Sequence, residues 1–368
     1  MNILEVVSGY YPRFQAGVPK HIDRLTQGLM QAGNCSVTIL AQDIGESNRA
    51  GILHERLPRY PLENFKIKRQ WKYRWFDWTI LRRGAALCRD RKIDVIHGHT
   101  YQHGGRQALR LGKKCNLPVV LTLHGTVFDA FPAATPPAWF PELLEARHII
   151  VQKPSAREKL IAWGYPENRI SILIGPVPIS REVPHRSSMS SPVRLLFAGR
   201  FDPIKRPMLL VDLAEAILAR GLPYVISAVG DGLLLPEVKH EARSRHVESI
   251  LTLPGWCDNM SDQYHRHDVI LGLSQTHNVS DLVLLEAMSY GLVPVVTRSK
   301  DIDYLIKDRQ NGVICEDDVE SILTGIRSIN NHYEELSRAA AETAVAVAGS
   351  EHIVEMHRNI FHSVKNGK

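Results

Sequence analysis

The feature that most restricts this chain is an alternation. Short β-branched runs and longer amphipathic runs take turns along it, and the pattern is played through twice. In the first half the strand runs are Ile3–Val7, Val37–Leu40, Asp94–His97, Val119–Leu123 and His148–Val151, with helical stretches such as Pro19–Ala32 and Thr79–Asp90 between them. Gly33-Asn34 supplies a stop for the first helix. Strands that alternate with helices predict a parallel sheet covered on both faces. The stretch Gly175–Pro192 (GPVPISREVPHRSSMSSP) has no periodicity and reads as a linker. The alternation then restarts with strands at Val193–Ala198, Tyr224–Val229, Ile250–Leu253, Val269–Leu273 and Val293–Thr297, a helix at Pro207–Arg220 and a terminal amphipathic helix at Ser350–Val364. The expected fold class is therefore α/β, with two Rossmann-like domains. The expected boundaries are 1–178, a linker over 179–192, a second domain over 193–348, and a final helix over 349–368 that packs back on the first domain.

Composition narrows the function classes only a little. The net charge of +6 and pI near 9.0 favour anionic partners of any kind. The N-terminus lacks the basic start and long apolar run of a signal peptide, and no stretch of about 20 apolar residues is present to span a membrane. Cys35, Cys88, Cys115, Cys257 and Cys315 are odd in number and scattered, which suits reduced thiols in a cytoplasmic protein rather than a disulfide framework. His97 and His99 have H-x-H spacing, but no Cys or third ligand stands near them in sequence, so no metal is expected.

In open α/β sheets ligands bind beyond the carboxyl ends of the strands. Four segments sit at such ends. After Val193–Ala198 come Gly199, Arg200 and Lys205, a glycine that admits a ligand to the backbone and two cations suited to a diphosphate. A solvated basic loop would read the same way in isolation. After Leu273 come Asn278, Ser280, Asp281 and Leu282, where a helix should begin, with Glu286 further along to accept hydrogen bonds from ribose hydroxyls. Gly17 precedes the first helix and can bring backbone N–H groups to a phosphate; the surrounding residues are not a G-x-G-x-x-G fingerprint, which argues against a dehydrogenase. His124 follows a fourth strand and can meet a sugar hydroxyl or shape a pocket floor.

Taken in order, these segments resemble glycosyltransferase family 4, the retaining enzymes of GT-B fold. AGRFDPIKRP is similar to the family's G-R-x4-K segment and LVLLEAMSYGLVPVV to the second half of its E-x7-E segment. AGVPKHIDRLTQGLMQAG, IDVIHGHT, VVLTLHGT, AVGDGLLLPEV and LTLPGWCDNMSDQYHRHDVILGLS carry the resemblance over nearly the whole chain. The resemblance implies two domains facing across a cleft and a nucleotide-diphosphate sugar as donor. It implies Arg200 and Lys205 on the diphosphate, Glu286 on the ribose, Trp256 and Cys257 by the base, Gly17 closing on the phosphates and His124 on the sugar. It implies no cofactor and no metal, protein cations taking the metal's place. Asn278 stands where the family has its first glutamate; it can hydrogen-bond a hydroxyl but brings no negative charge.

The acceptor is expected to be a saccharide, a glycolipid or a small molecule, in surface polysaccharide or glycolipid synthesis. Residues 66–92 mix many Lys and Arg with Trp71, Tyr73, Trp75, Phe76 and Trp78. That mixture suits peripheral contact with an anionic membrane, or equally a solvated face whose aromatics pack inward. No nucleic-acid motif is present, and nucleic acid is not expected. A sugar-nucleotide epimerase and a catalytically silent homologue, the latter favoured by Asn278, are the competing readings.

Overall fold

The computed structural model describes residues 1–9, 17–43, 53–56, 69–124, 131–179, 186–274 and 282–367. The chain divides into two compact units, one formed by Met1–Pro176 with Ser350–Lys368 and the other by Val177–Gly349.

The first unit runs β1 (Asn2–Gly9), α1 (Gly17–Gln31), β2 (Ser36–Asp43), β3 (Leu53–Arg56), α2 (Arg69–Asp90), β4 (Val95–His99), α3 (Arg106–Cys115), β5 (Val119–Leu123), α4 (Phe140–Leu143), β6 (His148–Val151), α5 (Pro154–Ala162) and β7 (Ile170–Ile172). Its seven strands form a parallel sheet in the order β3-β2-β1-β4-β5-β6-β7. Side chains alternate across a strand, and here both faces are apolar. Leu4, Val6, Ile96, Leu121 and Ile149 face a core that includes Leu87, Leu111 and Leu160 from α2, α3 and α5. Ile3, Val7, Val95, Val120 and Ile150 face the opposite one, with Ile22, Leu25 and Leu29 of α1.

The second unit runs β8 (Val193–Ala198), α6 (Leu209–Ala219), β9 (Tyr224–Val229), α7 (Leu235–Ser244), β10 (Leu251–Gly255), α8 (Met260–Arg266), β11 (Val269–Gly272), α9 (Leu282–Ser289), β12 (Val293–Thr297), α10 (Ile302–Leu305), β13 (Val313–Cys315), α11 (Val319–Ser328) and α12 (Tyr333–Ala348). Its six parallel strands follow the order β10-β9-β8-β11-β12-β13. One core on this sheet joins Leu195, Phe197, Ile226, Leu271 and Val295 to Leu213 and Ile217 of α6 and Ile322 and Ile326 of α11. In both sheets the strand order reverses beside the first strand, which opens a crevice at the carboxyl ends of β1/β4 and of β8/β11.

The last helix, α13 (Ser350–Lys365), belongs to the first unit. Ile353, Val354, Ile360, Phe361 and Val364 complete the core over α1. The two helices approach closely at Gly28, where a Cβ would lie 2.4 Å from Val354 Cγ2. Lys365 Nζ pairs with Asp94 at 2.9 Å, and the same carboxylate accepts the Asn2 N–H at 2.8 Å.

The strands β3, β7 and β13 are absent from the sequence reading. β7 and β13 are three residues each, too short for a run to register, and β3, Leu-His-Glu-Arg, holds a single apolar residue. Helix α2 starts ten residues before the expected Thr79, at Arg69, where charged and aromatic residues blur the apolar stripe.

Candidate functional site

The residues expected on the donor side follow the carboxyl ends of strands in the second sheet. β8 ends at Ala198, and Gly199 follows with φ of +159°. The chain then turns through a 3-10 segment, Pro203–Lys205, for which Asp202 is the N-cap and Pro203 the first residue. Asp202 does two things: one carboxylate oxygen accepts the Lys205 N–H at 3.2 Å and the other pairs with Arg200 Nη2 at 2.9 Å. It thereby holds together the turn on which both cations ride. The Lys205 stem returns over Gly199, its Cε 3.9 Å from where a Cβ would stand, so the ammonium comes back to the end of β8. Arg200 is 78% exposed and open to a ligand.

The neighbouring turn after β9 fits against this one. A Cβ on Gly230 (φ +142°) would fall 1.9 Å from Gly199 O, so the two strand ends touch backbone to backbone. The Gly230 N–H donates to Gly255 O at 2.8 Å, which ties in the end of β10. Beyond it, Trp256 is 53% exposed with its indole N–H donated to Asp258 at 2.8 Å, and the Cys257 thiol points to Asn259 O at 3.3 Å. An exposed indole beside a strand end is a surface on which a flat base can stack.

Glu286 lies four residues into α9, whose first described residue is Leu282. Tyr264 of α8, itself buried, donates its O–H to Glu286 Oε2 at 3.0 Å and fixes the carboxylate. Both helices are tied at their carboxyl ends by Arg186. Its guanidinium donates to Tyr290 O at 3.0 Å, His267 O at 2.6 Å and Tyr264 O at 2.8 Å. Asp202 had a local signal, an Asp-Pro at a turn; Tyr264 and Arg186 had none, since their partners are distant in sequence. Asn278, Ser280 and Asp281 lie outside the described residues.

Gly17 and His124 belong to the first unit. Gly17 is the exposed first residue of α1, and nothing stands within 4 Å of where its Cβ would be. His124 is 5% exposed at the end of β5 and is part of a larger buried polar group. Positions 5, 97, 99, 122 and 124 share the sheet face of Ile3, Val95 and Val120, and 99 and 124 sit at its carboxyl end. The His97 ring reaches Glu5 through Nδ1 at 3.1 Å and Thr122 Oγ1 through Nε2 at 2.8 Å. His99 reaches Glu5 Oε2 through Nε2 at 2.8 Å and His124 Nε2 through Nδ1 at 3.0 Å. His21 of α1 completes the group, its ring centroid 4.7 Å from that of His124.

Burial pushes the Glu5 carboxyl up, yet His97 and His99 outweigh it and hold it well below the usual carboxylate range. Burial keeps His99 neutral, lowered to about 4, and pushes His21 and His124 well below the ordinary imidazole value. In sequence the H-x-H pair had no third partner; the fold supplies two, His21 and His124, both to His99. Glu5 and His21 went unread because a lone Glu in a strand and a lone His in a helix carry no signal.

Comparison with known proteins follows the same division. A sequence profile described as Glycosyltransferase Family 4 matches residues 16–181, and one described as Glycosyl transferases group 1 matches residues 192–332. N-acetyl-alpha-D-glucosaminyl L-malate synthase of Bacillus anthracis is 24% identical over 323 residues, covering 81% of this chain and 83% of that protein. D-inositol 3-phosphate glycosyltransferase of Geodermatophilus obscurus is 25% identical over 286 residues, covering 69% of this chain and 63% of that protein. Among solved structures, a glycosyltransferase from Rickettsia africae superposes with a TM-score of 0.76 at 14% identity, covering 99% of this chain and 98% of that one. Anabaena HepE in complex with UDP and glucose gives 0.73 at 14% identity, covering 99% and 100%. Both sheets have the strand order of Rossmann-like domains, and both halves are matched in turn. The chain belongs to glycosyltransferase family 4 and is a glycosyltransferase of GT-B type.

Proposed function

We propose that this glycosyltransferase moves a sugar, with retention, from a nucleotide-diphosphate donor to a hydroxyl acceptor, and that no metal takes part at the diphosphate. The observation that carries this reading is the turn after β8, where Asp202 pairs with Arg200 and caps Lys205, whose stem lies over Gly199, at the point where strand order reverses. Charge grows on the diphosphate as the anomeric C–O bond breaks. Cations fixed beforehand stabilise that growth without reorganising.

Glu286, held by Tyr264, takes the ribose hydroxyls, and the base stacks by Trp256 and Cys257. Gly17 and His124 keep the roles that the family resemblance implies for them, on the phosphates and on the sugar. The transition state is oxocarbenium-like. Asn278 cannot act as a carboxylate nucleophile, so attack comes from the face the leaving group departs from. The acceptor oxygen bonds to the anomeric carbon as the C–O bond to phosphate breaks, and the acceptor's proton passes to the released phosphate oxygen. The complex of HepE with UDP and glucose supports a uridine donor as the first to try.

For the acceptor we infer a saccharide, glycolipid or small molecule, met at a peripheral membrane position. On α2, Trp78 is 55% exposed with Arg82 5.3 Å above its ring, and Arg83 and Arg89 on the same helix and Arg91 and Lys92 just after it are exposed. No described helix is long and apolar enough to cross a membrane. Sedimentation with vesicles should be stronger with anionic lipid than without, and equal pelleting would remove the membrane contact.

The central test is a thermal-shift screen against UDP-, GDP-, ADP- and dTDP-sugars, followed by product analysis with candidate acceptors. Transfer with the donor's anomeric configuration kept supports the reading. Donor turnover without acceptor would favour an epimerase, and donor binding without turnover a silent homologue, the outcome Asn278 favours.

A further inference from the structure

The reaction proposed above asks only for His124 among the buried histidines of the first unit and gives its neighbours no task. His21 from α1, His99 from β4 and His124 from the end of β5 come from separate elements and are 1%, 1% and 5% exposed. One nitrogen of each lies within 4.8 Å of the others. We propose that His21, His99 and His124 form a three-nitrogen site for a divalent cation of the zinc type, with Glu5 as the carboxylate behind His99.

The geometry supports this at each ligand. His99 turns Nε2 to Glu5 at 2.8 Å and Nδ1 to His124 Nε2 at 3.0 Å. An ionised carboxylate only accepts, so Nε2 of His99 carries the hydrogen and Nδ1 presents its lone pair. A ligating imidazole that gives its other N–H to a carboxylate is the usual outer arrangement of a metal histidine. Nitrogens bound to a tetrahedral ion at ~2.0–2.1 Å stand about 3.3 Å apart, so the His99–His124 pair needs little movement. His21 is the independent sign. Both of its ring nitrogens are buried without a hydrogen-bond partner, in a ring that packs edge-on to His124. Buried polar groups are normally paired, and an ion between the three rings would take one of the two nitrogens.

His97 stays outside the set, because its two nitrogens are taken by Glu5 and Thr122. Three neutral nitrogens favour zinc, cobalt, nickel or copper over magnesium or calcium. The fourth position is left to water. The cation would tie α1 to β4 and β5 at the carboxyl end of the first sheet, in a different unit from Arg200 and Lys205.

The test uses tag-free chain stripped of metal with a chelator, incubated with Zn²⁺ alone or Co²⁺ alone, desalted and analysed for metal. The wild type should keep one ion per chain, and the Co²⁺ form should show the strong ligand-field absorption of a four-coordinate site. His21→Leu removes a side chain that has no hydrogen bond to lose, so it should fold like the stripped wild type and bind the ion at least about 100-fold more weakly. Glu5→Gln should weaken binding about 10–100-fold. Lys205→Ala, altered only in the second unit, should keep the ion, so failure of the donor reading and failure of this site are separable. A wild type that desalts free of metal, or a His21→Leu variant that keeps full stoichiometry, overturns the proposal.

Discussion

Arg186 is the side chain whose removal should be felt furthest from where it stands. It donates three charge-assisted hydrogen bonds to main-chain carbonyls, at Tyr264, His267 and Tyr290, the carboxyl ends of α8 and α9. Those carbonyls have no helical partner, and a cation there also answers the negative end of each helix dipole. A hydrogen bond to a charged group contributes about 1.5–3 kcal/mol net when buried. Arg186 is only half-buried, so water will replace part of each bond in Arg186→Ala, leaving a loss of about 1 kcal/mol per bond and about 3 kcal/mol in all. For a unit of this size that lowers the melting temperature by roughly 6–12 °C. Arg186→Lys offers an ammonium where three separate carbonyls need a fork, and should recover no more than about a third of the loss. Because α8 carries Tyr264 and α9 carries Glu286, donor affinity should fall about 5–10-fold while turnover at saturating donor changes less. Scanning calorimetry and donor titration measure both. An Arg186→Ala protein that melts within about 2 °C of wild type would refute the argument.

Four other outcomes follow from the same geometry. Arg200→Ala or Lys205→Ala should lower kcat about 100–1000-fold with the melting temperature kept, corresponding to ~3–4 kcal/mol of leaving-group stabilisation; wild-type rates would remove both from the site. Gly230→Ala places a Cβ 1.9 Å from Gly199 O at a φ of +142°, and should cost at least about 3 kcal/mol by chemical denaturation and weaken donor binding with it. Burial lowers the His148 imidazole from 6.5 to about 4, so the unfolded chain binds the extra proton between those values and stability falls as pH drops through them. Allowing for partial exposure, His148→Gln should lose about 2 kcal/mol less than wild type between pH 7 and 4, by denaturation at each pH. Burial pushes the Cys88 and Cys315 thiols up to about 12 and about 11, so at pH 8 iodoacetamide should label the half-exposed Cys257 well before either, as peptide mapping would report.

The parts of this molecule that were legible in the sequence are those with a local cause. A short run such as Val193–Ala198, apolar but for Arg194, announces a buried parallel strand, and Gly199 with its two following cations announces the end that meets a ligand. Gly291 ends α9 with a φ of +77°, as its position in the sequence suggests. What stayed hidden depends on distant partners. Arg186 sits in a Pro- and Ser-rich stretch that reads as a linker, yet its bonds reach residues about 80–100 positions away. Tyr264 meets Glu286 only because α8 and α9 flank the same strand, β11. The histidine group is assembled from α1, β4 and β5, and the H-x-H spacing pointed at His97, which is fully engaged elsewhere, rather than at His99 alone.

The return of α13 to the first unit sets an order of events during synthesis. Ile353, Val354, Ile360, Phe361 and Val364 cover one apolar flank of that unit, yet they are translated after every residue of the second. A nascent chain can therefore close the second unit while the first still shows a bare hydrophobic wall to chaperones and to other unfinished chains. A stop codon just ahead of Ser350 would make that wall permanent, and the product should be found in inclusion bodies even though residues 177–349 lack nothing they need.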